Sequence, residues 1–390
     1  MRLIHTADLH LHPDHPERLE ALEKICQLAT DHGCSAILIA GDLFDRAEEA
    51  LNERPKLRQL FDKYPFEVFI VAGNHDEHCY APHHDYGQRV HLAAKKGLVR
   101  WNTKEGIEIW GLPFQRGSRA AEYLSQQSLP HQTPTVLLTH ASFYHSDWLE
   151  ICQKLQKYVQ DTGGGDFAFF APDLEGKGFA YVALGHWHNP TNPPLQIEGT
   201  LVAYAGTPCR VLPHELGRRQ VILVELETTR INIQFLPVEG VPYYVEKRFF
   251  VAPGGEQNTL SQLAKFLQSQ ADPFAKAKLV VEGFLGWEES KFRAELENLR
   301  SQYAAQWGEV SMEHHWSHLA EAPARLVQTF IEQINAKTLE ELQVLLNQFE
   351  PGTLYETARR WLQEAQEELK QEAICMGLRA IHQQKQRSRR

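Results

Sequence analysis

The sequence predicts a layered α/β protein in which helices cover buried sheets. Short aliphatic runs such as Ala36–Ala40 recur through the first 238 residues, and near-continuous apolar strands of this kind are typical of sheets buried on both faces. Between the first two strands, Pro16–His32 has apolar residues at helical spacing and is followed by Gly33, a common residue at the end of a helix. The 390 residues suffice for two or three domains.

The predicted strands of the first region alternate with helices and loops. They are Leu3–Thr6, Ala36–Ala40, Val68–Ala72, Ile107–Trp110, Thr135–Thr139, Tyr181–Leu184, Leu201–Tyr204, Val221–Glu225 and Ile231–Phe235. His5 lies on the first of them and is predicted to be a paired interior residue. We therefore expect a first domain over residues 1–238.

From about Gly240 the pattern changes to that of a small α/β cap, which we predict over residues 239–318. Its elements are a strand Tyr243–Val251, a helix from about Asn258 to Gln270 opened by a capping box of Thr259 and Gln262, a strand Lys278–Leu285, a helix Glu289–Gln306 and a short strand Glu309–Glu313. Residues 319–390 are predicted to be helical and to bind a partner, with amphipathic helices over Pro323–Ala336, Thr338–Phe349 and Thr353–Ile381. The apolar stripe of the last helix has an alternative explanation, which is internal packing.

Composition argues against several classes of protein. With 43% hydrophobic and 23% charged residues, the chain is neither disordered nor fibrous, and no apolar run approaches the ~20 residues that span a bilayer, so we expect no membrane association. The formal net charge of −10 argues against a polycation that coats nucleic acid. Six cysteines without a CxxC pair, and a strand-like N-terminus, favour reduced thiols and a cytoplasmic location.

Five short motifs each follow a predicted strand. They are Asp8-Leu9-His10, Gly41-Asp42-Leu43-Phe44-Asp45, Gly73-Asn74-His75-Asp76, Thr139-His140 and Gly185-His186-Trp187-His188. Because the carboxyl ends of strands form the ligand-binding crevice of layered α/β proteins, we expect these side chains to converge. Each motif alone is compatible with an ordinary turn or loop, whereas all five in this order indicate a functional site.

The converging side chains would be carboxylates, imidazoles and one amide, without thiolates. Oxygen and nitrogen ligands suit manganese, iron, zinc or magnesium better than a structural zinc–cysteine site. Three Asp/Asn ligands and several histidines exceed what one ion requires. We therefore predict two divalent ions that share one carboxylate.

The series DxH…GDxxD…GNHD…TH…GHxH resembles the signature of calcineurin-like metallophosphoesterases. The opening Met1–Leu11 and the stretch Tyr181–His188, followed by Tyr204–Pro208, are similar to the SbcD-type DNA repair nuclease branch of that family. The resemblance implies an α/β/β/α sandwich and a metal-dependent DNA exonuclease and endonuclease. It also implies that a hydroxide bridging two ions, with manganese as the first expectation, hydrolyses the phosphodiester bond.

Carried over residue by residue, the resemblance implies a first ion held by Asp8, His10, Asp42 and His188, and a second held by Asn74, His140, His186 and the bridging Asp42. His75 is implied to face the scissile phosphate and to stabilise or protonate the leaving oxygen. Asp76 would orient this loop, and Asp45, where some family members have histidine, would be a partner of His75. Tyr80 and Tyr86 follow the loop and are candidates for stacking on a base, against the alternative that they have no functional role.

Nuclease subunits of this branch form homodimers and work with an SbcC-like ABC-type ATPase that has a long coiled coil. The resemblance therefore implies DNA, such an ATPase and a second copy of the chain as partners. This chain has no Gly-x-x-x-x-Gly-Lys-Ser/Thr motif, so any ATP dependence would come from the partner. Two alternatives stay open: a small-molecule or cyclic-nucleotide phosphodiesterase on the same metal site, and a scaffold that has the fold without catalysis.

Overall fold

The computed structural model describes residues 1–81, 83–125, 127, 134–145, 167–227 and 230–318. These residues belong to two compact units, of which the first is Met1–Tyr243 and the second begins at Tyr244. The three tail helices predicted between residues 319 and 390 lie outside the described residues.

The first unit contains fourteen strands and three helices in its described part. Its strands are β1 (Arg2–Thr6), β2 (Ala36–Ala40), β3 (Glu67–Val71), β4 (Val90–Ala93), β5 (Val99–Asn102), β6 (Glu108–Leu112), β7 (Thr135–His140), β8 (Ser142–Tyr144), β9 (Ala168–Phe170), β10 (Tyr181–Gly185), β11 (Leu195–Ile197), β12 (Thr200–Tyr204), β13 (Gln220–Leu226) and β14 (Ile231–Pro237). Its helices are α1 (Pro16–Asp31), α2 (Ala47–Asp62) and the short α3 (Ala121–Leu124).

Two six-stranded sheets form the frame of this unit. The first has the order β14-β13-β1-β2-β3-β4 and the second the order β11-β12-β10-β7-β6-β5. Strands β1 to β4 are parallel to one another, and β6, β7, β10 and β12 are parallel in the second sheet. Parallel neighbours place their carboxyl ends at one edge, where loops that carry ligands emerge.

Three apolar layers hold the sheets and helices together. In β2, Ile37 and Ile39 pack with α1 and α2, while Leu38 points the other way, into a layer shared with Val136 and Leu138 of β7. A third layer covers the outer face of the second sheet, beneath α3 and a 3₁₀ turn at 171–174. Each buried leucine or isoleucine stabilises such a layer by ~1.5–3 kcal/mol relative to an exposed one. The first unit is the α/β/β/α sandwich that the sequence predicts.

Helix α1 shows why these residues form these elements. Pro16 occupies the first helical turn, where a missing N–H costs nothing. Leu22, Ile25 and Cys26 lie at helical spacing and are buried against the first sheet. The chain leaves the helix at Gly33, which has a φ of +61° that glycine adopts without strain.

The second unit has the predicted β-α-β-α-β order. Its elements are β15 (Tyr243–Val251), α4 (Glu256–Ser269), β16 (Ala275–Leu285), α5 (Glu289–Tyr303), a 3₁₀ turn (Ala304–Gln306) and β17 (Glu309–His318). Strand β16 is central, and β17 pairs with it in parallel over ten residues, so the last strand is twice as long as predicted.

The capping box predicted for the cap helix is wrong. The helix begins at Glu256 after Gly255, with no side-chain cap. Thr259 lies inside the first turns, and its buried hydroxyl donates to the carbonyl oxygens of Phe250 and Gly255 at 3.3 and 3.2 Å. A threonine can donate to the carbonyl four residues before it within a helix. The Thr259 hydroxyl makes this bond and does not cap the helix.

Four cysteines of the described residues, Cys26, Cys34, Cys79 and Cys209, are free and buried. Burial raises the pKa of the Cys26 and Cys79 thiols to about 12, which keeps them protonated and weakly nucleophilic. In the described part of the chain, no helix is long and apolar enough to cross a membrane.

Candidate metal centre

The five motifs emerge at the carboxyl ends of β1, β2, β3, β7 and β10. Two sets of three side chains bring ligand atoms within 4.8 Å of one another: Asp8, His10 and His188, and Asp8, Asp42 and His140. Asp42 Oδ2 lies 3.3 Å from His140 Nε2 and 3.8 Å from His10 Nε2. One carboxylate oxygen therefore lies within 4 Å of two imidazoles from different sets, as expected for a group shared by two ions.

Asn74 joins the second set through its amide oxygen. Asn74 Oδ1 lies 2.9 Å from His140 Nε2 and 3.0 Å from His186 Nδ1. Its neighbour Gly73 has no room for a side chain, because a Cβ there would lie 2.1 Å from Asp42 Oδ1. The glycine thus allows the loop after β3 to approach the loop after β2 closely enough to place Asn74 beside Asp42.

Three of the histidines have one ring nitrogen paired with a partner outside the cluster. Nδ1 of His140 lies 2.8 Å from the Ala40 carbonyl oxygen, which can only accept a hydrogen bond, so Nδ1 carries the proton. In the same way Nδ1 of His10 lies 3.0 Å from Asp45 Oδ1, and Nδ1 of His188 contacts Glu215 Oε1. Each pairing fixes a ring orientation and leaves Nε2 available as a ligand.

The cluster brings oxygen atoms and ring nitrogens together without a neighbouring lysine or arginine among the contacts described above. Such an excess of electron-rich atoms is what a cation site requires. Nε2 of His140 faces the oxygens of Asp42 and Asn74, and the buried Nε2 of His10 has no hydrogen-bond partner. Ring nitrogens and oxygens that converge in this way attract a cation, which is a proton on His140 in the metal-free state or a bound metal ion. The residues therefore fit a divalent metal ion.

The pKa shifts agree with this excess of electron-rich atoms. Burial raises the pKa of the Asp8 carboxyl, and the charge of Asp42 raises it further against the opposing effect of His140. Burial would also raise the pKa of Asp42, but His140 outweighs it and holds that pKa well below its usual range. For His140, burial lowers the pKa and the Asp42 charge raises it more, to about 9.

The backbone of the cluster is strained. Five non-glycine residues among those described have positive φ, and four of them are Asp8, His10, Asp42 and His186, with φ of 53°, 46°, 50° and 107°. Such conformations cost of order 1–3 kcal/mol each and persist only where the surroundings impose them. They aim side chains from the ends of three strands at one point, which ordinary turns do not require.

His75 lies at the edge of the cluster and outside the two sets. Its side chain is 46% exposed, and Nδ1 is 3.1 Å from Asp45 Oδ1. Its backbone N–H donates to Asp42 Oδ1 at 2.9 Å, and its ring meets the His10 ring edge-on at 4.8 Å between centroids. Asp45 therefore contacts both imidazoles, and His10, Asp45 and His75 form a third set of close ligand atoms.

Asp76 is buried beneath these loops. Its carboxylate accepts from the backbone N–H of Gly73 at 2.7 Å and of Leu43 at 2.8 Å, and from the Tyr80 hydroxyl at 2.6 Å. Burial, with the charge of Asp42, raises the pKa of Asp76 to about 6. Asp76 thus connects the loop after β2 to the loop after β3 through hydrogen bonds to backbone N–H groups.

The two tyrosines considered for base stacking are not placed for it. The Tyr80 hydroxyl is bonded to Asp76, and Tyr86 is buried in the apolar layer beneath α1 and α2. Their rings pack edge-on against each other at 5.7 Å between centroids. Tyr86 belongs to the core of the first unit and the half-buried Tyr80 packs against it, so the stacking interpretation of the sequence is wrong.

The sequence has no signal for Glu215, which the structure places against the centre. Glu215 is 1% exposed and accepts from His188 and from the backbone N–H groups of Val211 and Leu212 at 2.7 and 3.0 Å. Burial opposes its ionisation, but these hydrogen bonds lower the pKa of Glu215 to about 2. The buried carboxylate of Glu215 thus orients the His188 ring through Nδ1.

Comparisons with known proteins agree with this geometry. A sequence model of calcineurin-like phosphoesterases matches residues 1–190, which include all five motifs. The chain is 28% identical over 257 residues to the DNA double-strand break repair protein Mre11 of Haloferax volcanii, a match that covers 62% of this chain and 53% of that protein.

Two relatives from Bacillus subtilis match to a similar extent. The chain is 26% identical over 268 residues to the SbcD subunit of the nuclease SbcCD, covering 57% of this chain and 66% of that one. It is 25% identical over 262 residues to the uncharacterized metallophosphoesterase YhaO, covering 60% of each. The chain spans between about half and two thirds of the length of these relatives.

Proposed function

We propose that this chain, whose residues 1–190 belong to the calcineurin-like phosphoesterase family, is a two-metal nuclease that hydrolyses phosphodiester bonds of DNA. The observation that carries the proposal is that Asp42 Oδ2 lies within 4 Å of two imidazoles, His10 at 3.8 Å and His140 at 3.3 Å, which belong to different sets of close ligand atoms. A carboxylate next to two separate ligand sets suits a pair of ions that share it.

The ligand sets follow from that position. The first ion would be held by Asp8, His10, Asp42 and His188, and the second by Asp42, Asn74, His140 and His186. Oxygen and imidazole ligands without thiolate suit manganese, iron, zinc or magnesium, and the resemblance puts manganese first. When bound, two such ions lower the pKa of a water molecule and neutralise charge on phosphoryl oxygens.

His75 and Asp45 are the chain's own contribution to proton transfer. Asp45 contacts His75 Nδ1, which orients the ring and leaves Nε2 for the substrate. A half-exposed imidazole beside both ligand sets is placed to donate a proton to the leaving oxygen or to stabilise its charge. Asp76 would act through the backbone, since it lies beneath the loop that carries His75.

DNA as the substrate is supported by the relatives, two of which are named for DNA repair or as part of a nuclease. In that setting we propose, as the resemblance implies, a cytoplasmic homodimer that works with a coiled-coil ATPase. The cap predicted for residues 239–318 and the helices predicted from residue 319 onward favour a large partner or substrate over a small molecule, because a compact hydrolase has little need of them.

The experiment is a comparison of substrates. The full chain, reconstituted with manganese, magnesium or zinc, is given end-labelled linear duplex DNA and, separately, cyclic nucleotides. We expect release of labelled fragments from DNA, with the highest rate in manganese, and little turnover of cyclic nucleotides. Faster turnover of cyclic nucleotides than of DNA would indicate a small-molecule phosphodiesterase. If the chain binds two ions and hydrolyses neither substrate, it is a scaffold without catalysis.

A further inference from the structure

Trp187 is an exposed aromatic side chain beside the candidate metal centre. It is 46% exposed although it lies between His186 and His188 in the sequence. The indole meets the His186 ring edge-on, at 6.3 Å between centroids and an interplanar angle of 89°. A single exposed aromatic residue needs no explanation by itself, but this one contacts a side chain of the centre.

A cation also lies near His186, next to the Phe114 ring. The His186 ring is 6.4 Å from the ring of Phe114, and the Arg116 guanidinium lies 5.8 Å from the Phe114 centroid. Trp187 and Phe114 thus both lie next to the His186 ring, and Arg116 lies next to Phe114. Phe114 is also 6.2 Å from His140, so these side chains border the second ligand set.

Arg116 is free to exchange its partner. Its side chain is 59% exposed, and its ion pair with Glu77, at 3.4 Å, is at the surface, where such pairs contribute little to stability. A phosphate group offers guanidinium two oxygens in a geometry that supports paired hydrogen bonds. A substrate phosphate can therefore replace Glu77 at small cost.

We propose that Trp187 and Arg116 bind an unpaired strand beside the metal centre, with the indole stacked on one base and the guanidinium paired with a phosphate of the same strand. Aromatic side chains and cations combine in this way in proteins that bind single strands, because every base has a face for stacking. A paired base inside a duplex is covered on both faces and offers none to the indole. This inference rests on the proposed hydrolysis of DNA and adds a preference for a strand that is unpaired next to the scissile bond.

The test uses two single strands of equal length, an end-labelled oligothymidylate and one in which tetrahydrofuran replaces the base at every position. The probe is the metal-loaded full chain, and the readout is the ratio of kcat/KM for the thymidylate strand to kcat/KM for the abasic strand. We expect Trp187→Ala to lower this ratio about 5- to 160-fold, the range of stacking on one base. Trp187→Phe keeps an aromatic face and should retain most of the ratio.

Arg116 has a matched control in Arg58. Arg58 is an exposed arginine of α2 that is paired with Asp85 at 3.0 Å. It lies about three helical turns beyond the loop after β2. Arg58→Ala therefore removes the same charge from the same kind of ion pair, away from that loop. Arg116→Ala should lower kcat/KM on both strands, because both contain phosphates, and Arg58→Ala should not.

Three outcomes would overturn the inference. If Trp187→Ala leaves the ratio unchanged while the wild-type chain cleaves DNA, the inference is wrong and the proposed function stands. If Trp187→Ala binds less metal than the wild-type chain, Trp187 supports the ligands and does not bind a base. If the wild-type chain hydrolyses a cyclic nucleotide and neither strand, the proposed function and the inference are both wrong.

Discussion

His5 of β1 is a buried histidine that joins the two sheets beneath the candidate metal centre. Nε2 lies 3.2 Å from the Leu184 carbonyl oxygen, which can only accept, so this nitrogen carries the proton. Nδ1 lies 2.8 Å from the Tyr181 hydroxyl and accepts from it. Both partners belong to β10. Burial lowers the pKa of His5 to about 3, against a smaller opposing effect of Leu184.

This pairing makes the protein sensitive to acid. The histidine pKa is 6.5 without such burial, so between pH 6.5 and pH 3 the unfolded chain binds a proton that the native state does not. Stability therefore falls as the pH falls through 6.5. Linkage gives a loss in the free energy of unfolding of about 0.2 kcal/mol at pH 7 and about 2 kcal/mol at pH 5. The value at pH 5 is nearly the same for any native pKa of His5 well below 5.

The assay is urea-induced unfolding of the metal-free full chain at pH 7 and at pH 5. His5→Gln removes the titrating group and keeps polar atoms near both partners, so it should lose about 2 kcal/mol less than the wild-type chain between the two pH values. The exposed His78 is a matched control, and His78→Gln should keep the wild-type pH dependence. Equal pH dependence in wild type and His5→Gln would refute a neutral, buried His5.

Other predictions concern the site itself. His75→Asn should leave the metal content intact and lower turnover ~10²- to 10⁴-fold, as expected for a lost acid, while His78→Asn should change neither; loss of metal would make His75 a ligand or a support. Glu215→Gln should weaken metal binding about 10- to 100-fold in a chelator competition, because His188 loses the carboxylate behind it. The control is Leu216→Ala, a change at the exposed neighbouring residue. If Glu215→Gln binds metal as tightly as the wild-type chain, Glu215 does not support His188 as a ligand.

Much of the frame and of the site followed from patterns in the sequence. The strand Ala36–Ala40 is apolar at every position because the sheet is buried on both faces, and the structure has the same bounds. Asp42 comes two residues after this strand, so its place at the strand end could be predicted without a structure. The same holds for His186 after β10 and for Asn74 after β3.

Features that depend on the folded chain could not be predicted. Helix α2 contains Pro55, a residue that argues against a helix when only neighbours are considered. Glu215 follows His188 by 27 residues, and only folding brings the carboxylate to the ring. The exposure of Trp187 and the burial of Tyr86 are likewise set by tertiary packing, since both are aromatic residues in loops that carry or follow site motifs.

The most direct test of the two-metal account is the number of ions bound per chain. The full chain is stripped with a chelator, reconstituted with manganese, desalted and analysed by mass spectrometry for metal, beside Asp42→Asn and the surface control Arg58→Ala. We expect two ions per chain in the wild type and in Arg58→Ala, because Asp42 lies close to imidazoles of two different ligand sets. Asp42→Asn should hold fewer than two ions and lose hydrolysis, since one lost charge weakens both ligand sets. Two ions and unchanged turnover in Asp42→Asn, or a single ion in the wild type, would contradict the account.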